Sequence, residues 1–229
     1  KPFTDLGELI CGTMGRDNQW WPEACQAMNL TNVVPTNPGT FVILDDLIAA
    51  QPMKGSTLAS IAATAAGVQG GKNAFTVANE METNASTALS FANGITADQN
   101  TELGVTLNNI KAMSYLSIYY AYKIRGAIYK KQAKTTEARD AMGTAYCWWI
   151  KYTSLMHANF TGMNLARSAQ FPNWQSNDAS ALKEYTDLGG VGIPGCFDMN
   201  YQVSVSANDA NRGIVKGAGT FKSGDNATA

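Results

Sequence analysis

Residues 101–131 read TELGVTLNNIKAMSYLSIYYAYKIRGAIYKK, and this stretch decides the fold. Apolar side chains recur in it at every third or fourth position, which is the period of an amphipathic α-helix and not of a strand. The apolar stripe consists of Leu103, Leu107, Ile110, Met113, Leu116, Tyr120, Ile124 and Ile128. At 1.5 Å per residue, a helix of this length is about 45 Å long. The pattern therefore predicts the longest helix of the chain.

A second long helical pattern begins only a few residues later, over 137–157. Its stripe consists of Ala138, Met142, Ala145, Trp149, Tyr152 and Met156. Because the connection around residues 133–135 is so short, the two helices are expected to run antiparallel as a helical hairpin. We expect their shared core to contain Ile110, Met113, Tyr120, Trp149 and Tyr152.

Shorter elements are predicted on both sides of this hairpin. Residues 73–92 carry a stripe of period 3.6, and residues 177–188 form a helix with Asn177 as its N-cap and two glycines after it. After Pro194, Tyr201 and Val203 alternate with polar residues, which is typical of a strand. We therefore predict a mainly α protein, with a helical domain over 1–194. Residues 195–229 are predicted to be a β-rich tail or the start of a second small domain.

The charge composition limits the classes of partner. Only 15% of the 229 residues are charged, and 17 basic residues balance 18 acidic ones. About a quarter of residues are charged in typical globular domains, so the neutral polar surface predicts an extracytoplasmic protein. No basic excess exists for nucleic acid, and no apolar run is long enough to span a membrane. One basic cluster complements the dipole at the end of the long helix: Lys123, Arg125, Lys130, Lys131 and Lys134.

The four cysteines predict neither a metal site nor a cofactor. Cys11, Cys25, Cys147 and Cys196 are widely spaced, with no C-x-x-C motif. Cys147 lies among aromatic residues of a predicted helix and is interpreted as a small buried hydrophobe. Cys11 and Cys25 flank a short turn-rich segment and are the favoured disulfide pair, although four cysteines allow three pairings.

Catalytic residues are not predicted for this chain by itself. His157 is its only histidine, and its place at the end of a helix favours a structural role. Asp45 and Asp46 are sequence neighbours, and Glu80 and Glu82 point to different faces of a helix. Neither pair can face its partner across a cleft, as two catalytic carboxyl groups of a glycosidase must.

Five residues are candidates for ligand binding. Trp20 and Trp21 closely precede Glu23, and aromatic rings beside a carboxylate are suited to a sugar subsite. The same segment is equally suited to anchoring an apolar N-terminal stretch on the helices. Tyr119 and Tyr122 fall off the main stripe of the long helix, so we expect them to be free for a ligand or partner.

Residues 108–127, NNIKAMSYLSIYYAYKIRGA, resemble the C-terminal helical region of large secreted alpha-glucuronidase-like glycoside hydrolases of polysaccharide-degrading bacteria. Residues 18–25, NQWWPEAC, are similar to a segment that precedes that region. The order of the segments between and after them also fits, so the resemblance covers about residues 15–185. In those enzymes the catalytic acids are expected on a barrel N-terminal to this region, so the resemblance transfers no catalytic residue.

Two functions follow from these observations. The resemblance implies a non-catalytic helical accessory or scaffold domain of an extracytoplasmic carbohydrate-active protein, with a neighbouring catalytic domain and a glycan as partners. The alternative is a structural subunit of an extracellular complex that assembles, as a homo-oligomer or with other chains, by strand addition through its β-rich tail.

Overall fold

The chain is mainly helical wherever its structure, a computed structural model, describes it. The described residues are 2–10, 42–52, 54–68, 71–159, 174–175, 177–196, 201–203 and 219–221. The helices are α1 (Pro2–Ile10), α2 (Leu44–Ala49), α3 (Ile61–Ala65), α4 (Ala74–Asn93), α5 (Glu102–Lys131), α6 (Thr135–Asn159) and α7 (Asp178–Asp187). The strands are β1 (Tyr201–Val203) and β2 (Gly219–Phe221). The predictions made for Cys11, Cys25, Trp20, Trp21 and Glu23 lie outside the described residues.

Local capping fixes where the long helices begin. The side chain of Asn73 accepts a hydrogen bond from the backbone N–H of Thr76 at 2.8 Å, and α4 starts at the next residue. Thr101 caps α5 in the same way, by accepting from Gly104. Such caps satisfy backbone donors that have no partner inside the helix. The four helices predicted from periodicity lie within two residues of those observed, although the side chain of Asn177 forms no capping bond at the start of α7.

The helices α5 and α6 contact each other along most of their length. Near the start of α5, the amide of Asn108 donates to Asn159, the last residue of α6, at 2.8 Å. Near the end of α5, Gly126 lies so close to Met142 that an added Cβ would be 2.8 Å from the methionine sulfur. Between these points lies a buried aromatic cluster of Tyr119, Tyr120, Trp149 and Tyr152.

The predicted shared core is correct in its aromatic members and wrong at two positions. Tyr120, Trp149 and Tyr152 are buried, but Ile110 is 38% exposed and Met113 is 41% exposed. In the first half of α5 the buried residues include Leu107, Ala112 and Ser114 instead. Periodicity identifies an apolar stripe, but it does not say whether another helix covers that stripe along its whole length.

The chain after α7 is bonded back to α6. Cys147 is buried, as expected, but it is not a free thiol, because it forms a disulfide with Cys196. Pro194 lies against Gly143 of α6, and Cys196 is part of the same hydrophobic core as the helices. Beyond this point, β1 and β2 pair antiparallel with each other, and Tyr201 lies opposite Phe221.

Replacing Trp149 with alanine should lower the free energy of unfolding by about 3–5 kcal/mol, because the substitution leaves a cavity in the aromatic cluster. Urea denaturation followed by circular dichroism measures this loss. Trp148→Ala is the matched control, since Trp148 is only partly buried and should cost clearly less. Equal losses for the two variants would contradict this assignment of the core.

Candidate functional site

The carboxylates of α2 hold structure together. The side chain of Asp46 accepts a hydrogen bond from the backbone N–H of Ile43 at 3.0 Å, at the start of its own helix. Asp45 forms an ion pair with Lys130 at the end of α5, at 2.7 Å. Asp45 therefore links α2 to α5, whereas Asp46 caps its own helix.

The two carboxylates of α4 are likewise held by cations. Glu80 pairs with Lys72, which also binds Asp5 of α1 at 2.9 Å. Burial lowers the pKa of Lys72, but the hydrogen bonds and charges of these two carboxylates outweigh it, so the pKa is raised overall. Glu82 accepts from the guanidinium of Arg125 at 2.6 Å. These pairs fasten α1 and α5 to α4.

Metal-binding groups of at least three histidine, cysteine, aspartate or glutamate side chains do not occur within the described ranges. His157 is exposed in the last turn of α6, where a basic side chain suits the helix terminus. Nor is any helix of the described part both long and apolar enough to cross a membrane.

A buried ion pair joins α5 to α7. The ammonium group of Lys123 is fully buried and lies 2.8 Å from the carboxylate of Glu184. The same group donates to the hydroxyl of Tyr119 at 2.8 Å. A buried charge is stable only when it is paired and hydrogen-bonded, and these two side chains meet both requirements.

Two sequence-based expectations are therefore wrong at this pair. The sequence predicts that Tyr119 is free for a ligand, but Tyr119 is fully buried, and its hydroxyl accepts a hydrogen bond from Lys123. Lys123 was assigned to a basic cluster at the helix end, but it lies in the core and pairs with α7. Tyr119 and Lys123 are both outside the apolar stripe, yet both are buried, because each forms a polar contact inside the protein.

A second polar link holds the start of α7. The indole N–H of Trp149 donates to the carboxylate of Asp178 at 2.8 Å. Burial raises the pKa of Asp178, and the hydrogen bonds from Trp149 and Thr153 act in the opposite direction. Together with Glu184, this carboxylate ties α7 to both α5 and α6.

Tyr122 is part of a clamp between α4 and α5. Its ring is partly buried, its hydroxyl donates to Glu82 at 2.9 Å, and the guanidinium of Arg125 lies 4.8 Å from the ring centre. Trp148 is covered in the same way by Lys151, whose pKa is lowered by burial. A sugar that stacked on the ring face beside Arg125 or Lys151 would first have to displace that cation. The structure thus gives Tyr122 a structural role that the sequence did not predict.

An apolar surface without charged residues lies along the second half of α4 and the first half of α5. Residues 83–97 and 103–110 contain no charged side chain. A groove of about 440 Å³ separates the second half of α4 from the first half of α5. Its lining residues are Asn84, Ala85, Ala88, Thr106, Asn109, Ile110, Met113, Ser114 and Ser117.

Exposed apolar side chains extend this groove along both helices. Phe91 is 73% exposed and follows Asn84 and Ala88 at helical spacing on α4. Leu103 is 51% exposed and precedes Ile110 by seven residues on α5, so it lies on the same face. We call the surface formed by Ala85, Ala88, Phe91, Leu103, Ile110 and Met113 the distal patch. Sequence reasoning missed it, although the charge-free run of residues 83–97 was a visible signal.

Known proteins offer no further guide. No protein-family model, curated protein or solved structure matches this chain. The resemblance of residues 15–185 to the helical region of secreted glycosidases therefore remains a prediction.

Replacing Glu184 with alanine should lower the free energy of unfolding by about 3–5 kcal/mol, because it removes the carboxylate that neutralises a buried ammonium group. The double variant Lys123→Met/Glu184→Leu should recover most of that loss, since it removes both charges and keeps the volume. Urea denaturation of the three proteins measures both effects. If Glu184→Ala were as stable as the wild type, the ion pair would not hold α7 in place.

Proposed function

We propose that the chain is a non-catalytic helical scaffold domain, and that it acts by packing its distal patch against a protein partner. The patch is the observation that carries this proposal. Monomeric proteins rarely expose extended apolar surfaces, and such surfaces often mark interaction sites. Interface centres are poor in charged residues, and the distal patch contains none and includes Phe91 and Met113.

The remainder of the fold is suited to holding that patch in position. We propose that α5 and α6 form a helical hairpin that serves as the frame of the domain. The polar contacts of Lys123, Glu184, Trp149 and Asp178 fasten α7 to this frame. Since α5 also carries half of the distal patch, the frame and the contact surface share one continuous helix.

The disulfide supports an extracytoplasmic location. Disulfides persist in oxidising compartments and are rare in the reducing cytosol. Cys147 and Cys196 are separated by 49 residues, and closing a loop of that size stabilises a protein by about 4 kcal/mol in the chain-entropy treatment. A domain that depends on this bond would lose much of its stability in the cytosol.

A link to carbohydrate is a second proposal, and the sequence supports it. The similarity of residues 15–185 to secreted glycosidases would make the partner a neighbouring catalytic domain. Trp20, Trp21 and Glu23 would then contribute a glycan-binding edge, because rings stack on sugar faces and the carboxylate accepts hydroxyl hydrogen bonds. Tyr122 is not favoured as a member of that edge, because its hydroxyl is bonded to Glu82 and its ring is in contact with Arg125.

The purified chain should not hydrolyse aryl glycosides. The carboxylates considered as catalytic acids are already held in ion pairs or a helix cap, and they are Asp45, Asp46, Glu80 and Glu82. Release of nitrophenol from a panel of nitrophenyl glycosides measures this. The Glu82→Gln variant is the control for trace contamination, since a contaminating enzyme is unaffected by it. Turnover that a single aspartate or glutamate substitution in this chain abolishes would overturn the scaffold proposal.

Calorimetric titration with glucuronic-acid-containing xylo-oligosaccharides tests the carbohydrate proposal. We expect binding that weakens at least tenfold in the Trp20→Ala/Trp21→Ala variant, because it removes both rings on which a sugar face would stack. Tyr122→Phe is the matched control, because it removes only a hydroxyl that is bonded within the protein. Absence of binding, or equal binding by the tryptophan variant, would contradict the glycan-binding edge.

A further inference from the structure

We propose that the disulfide between Cys147 and Cys196 is a redox-sensitive latch on residues 191–196, which we call the latch segment. The closed bond fixes this segment against α6. When a dithiol reduces the bond, the segment separates from α6 while the helices stay folded. This inference goes beyond the proposed function and does not depend on it, because it concerns the chain after α7 and not the distal patch.

The helix that precedes the latch segment is held without the disulfide. Glu184 of α7 forms the buried ion pair with Lys123, and Asp178 accepts a hydrogen bond from the indole of Trp149. Ala181, which lies between these two carboxylates in the sequence, is buried. Reduction therefore lowers the stability of the domain but leaves α7 docked.

The end of α7 is also fixed before the latch segment begins. The backbone N–H of Gly190 donates to the carbonyl of Tyr185 at 3.0 Å, and that of Gly189 donates to Thr186 at 2.9 Å. Gly189 has a φ of 84°, the left-handed conformation with which many helices end. Gly190 lies so close to the ring of Tyr185 that an added Cβ would be 2.3 Å from a ring carbon. The fixed end of α7 thus extends to Gly190.

The latch segment itself buries little. Val191 is 88% exposed and Ile193 is 71% exposed, so these two apolar side chains add almost nothing to the core. Within the segment only Pro194 and Cys196 are buried. Small as this burial is, it is the main attraction between the segment and α6 apart from the covalent bond.

Two glycines make the order of the latch segment costly. Gly192 has a φ of 65°, and an added Cβ at Gly192 or Gly195 would meet no atom within 4 Å. Glycine loses more conformational freedom on ordering than any other residue, and loose packing recovers none of that loss. A covalent bond excludes the open conformations without requiring further contacts. The segment therefore depends on the disulfide for its fixed position.

Reduction of the latch follows ordinary thiol–disulfide exchange. A thiolate of the dithiol attacks one cysteine sulfur, which breaks the S–S bond and releases the other cysteine as a thiolate that takes up a proton. The second thiol of the reagent then attacks the mixed disulfide and releases the first cysteine as a thiol. The protein is reduced to its dithiol form, and the reagent is oxidised to a cyclic disulfide. An oxidising compartment closes the latch again.

The latch also determines how closely β1 is tethered to the helices. β1 begins five residues after Cys196, so the closed bond joins it to α6 by a short chain. After reduction, the nearest preceding point fixed by α7 is Gly190, eleven residues before β1. The effective concentration of a tethered group falls as its tether lengthens. β1 is therefore confined more closely to α6 in an oxidising compartment than in a reducing one.

Nitrogen-15 relaxation of the full chain, before and after reduction with dithiothreitol, tests the latch. In the oxidised protein the backbone order parameters of Gly192, Ile193 and Gly195 should be about 0.85, as in rigid backbone, and reduction should lower them below about 0.6. The indole N–H of Trp149 should keep its chemical shift, because its bond to Asp178 persists when α7 stays docked.

The Cys147→Ala/Cys196→Ala variant tests the latch without a reductant, since it cannot form the bond. It should show the same low order parameters as the reduced wild type. Cys11→Ala/Cys25→Ala is the matched control, because it keeps the bond between Cys147 and Cys196. Its latch segment should be rigid until dithiothreitol is added.

Two results would overturn the latch. One is a set of order parameters over 191–196 that differs neither on reduction nor in the Cys147→Ala/Cys196→Ala variant. The other is loss of the Trp149 indole resonance together with the order of the segment, since the disulfide would then hold the whole domain and not this segment alone. Neither result bears on the scaffold proposal, which rests on the distal patch.

Discussion

The ammonium group of Lys123 is fully buried in the second half of α5, and a cation in that position is stable only beside a carboxylate and a further hydrogen-bond acceptor. Tyr119, one turn earlier on the same helix, supplies the acceptor. The carboxylate comes from Glu184 on α7, which is more distant in sequence. Docking of α7 is therefore required for α5 to be buried as it is. The disulfide between Cys147 and Cys196 then holds the residues that follow α7 against α6.

The long helix α5 is divided by this requirement into two halves of different character. Its second half is packed on several sides and contains the buried polar contacts. Its first half presents Leu103, Ile110 and Met113 at the surface. Burial of a charge demands fixed partners within the chain, whereas an uncharged apolar face is satisfied by any complementary surface. This difference is why we place structural integrity in one half and partner binding in the other.

Sequence reasoning was sufficient for what depends on local periodicity. The stripes of α4, α5 and α6 predicted those helices closely, and they placed Tyr120, Trp149 and Tyr152 in the core. It failed where the outcome depends on a distant residue. Nothing near Lys123 in the sequence reveals that Glu184 will be its partner, and the pairing of Cys147 with Cys196 is likewise non-local. The 38% exposure of Ile110 is also not encoded in the periodicity of its own helix, because it depends on which residues of other helices lie beside it.

Native-state hydrogen exchange of the full chain tests most directly whether α7 is integral to the packing of α5. The account predicts that backbone amides over 181–188 and over 121–128 exchange with the same free energy, close to that of global unfolding, because the buried ion pair couples the two helices. Amides at the start of α5, beside the distal patch, should exchange more readily. Exchange of 181–188 with a much lower free energy than 121–128 would contradict the account, since α7 would then open while Lys123 stayed buried.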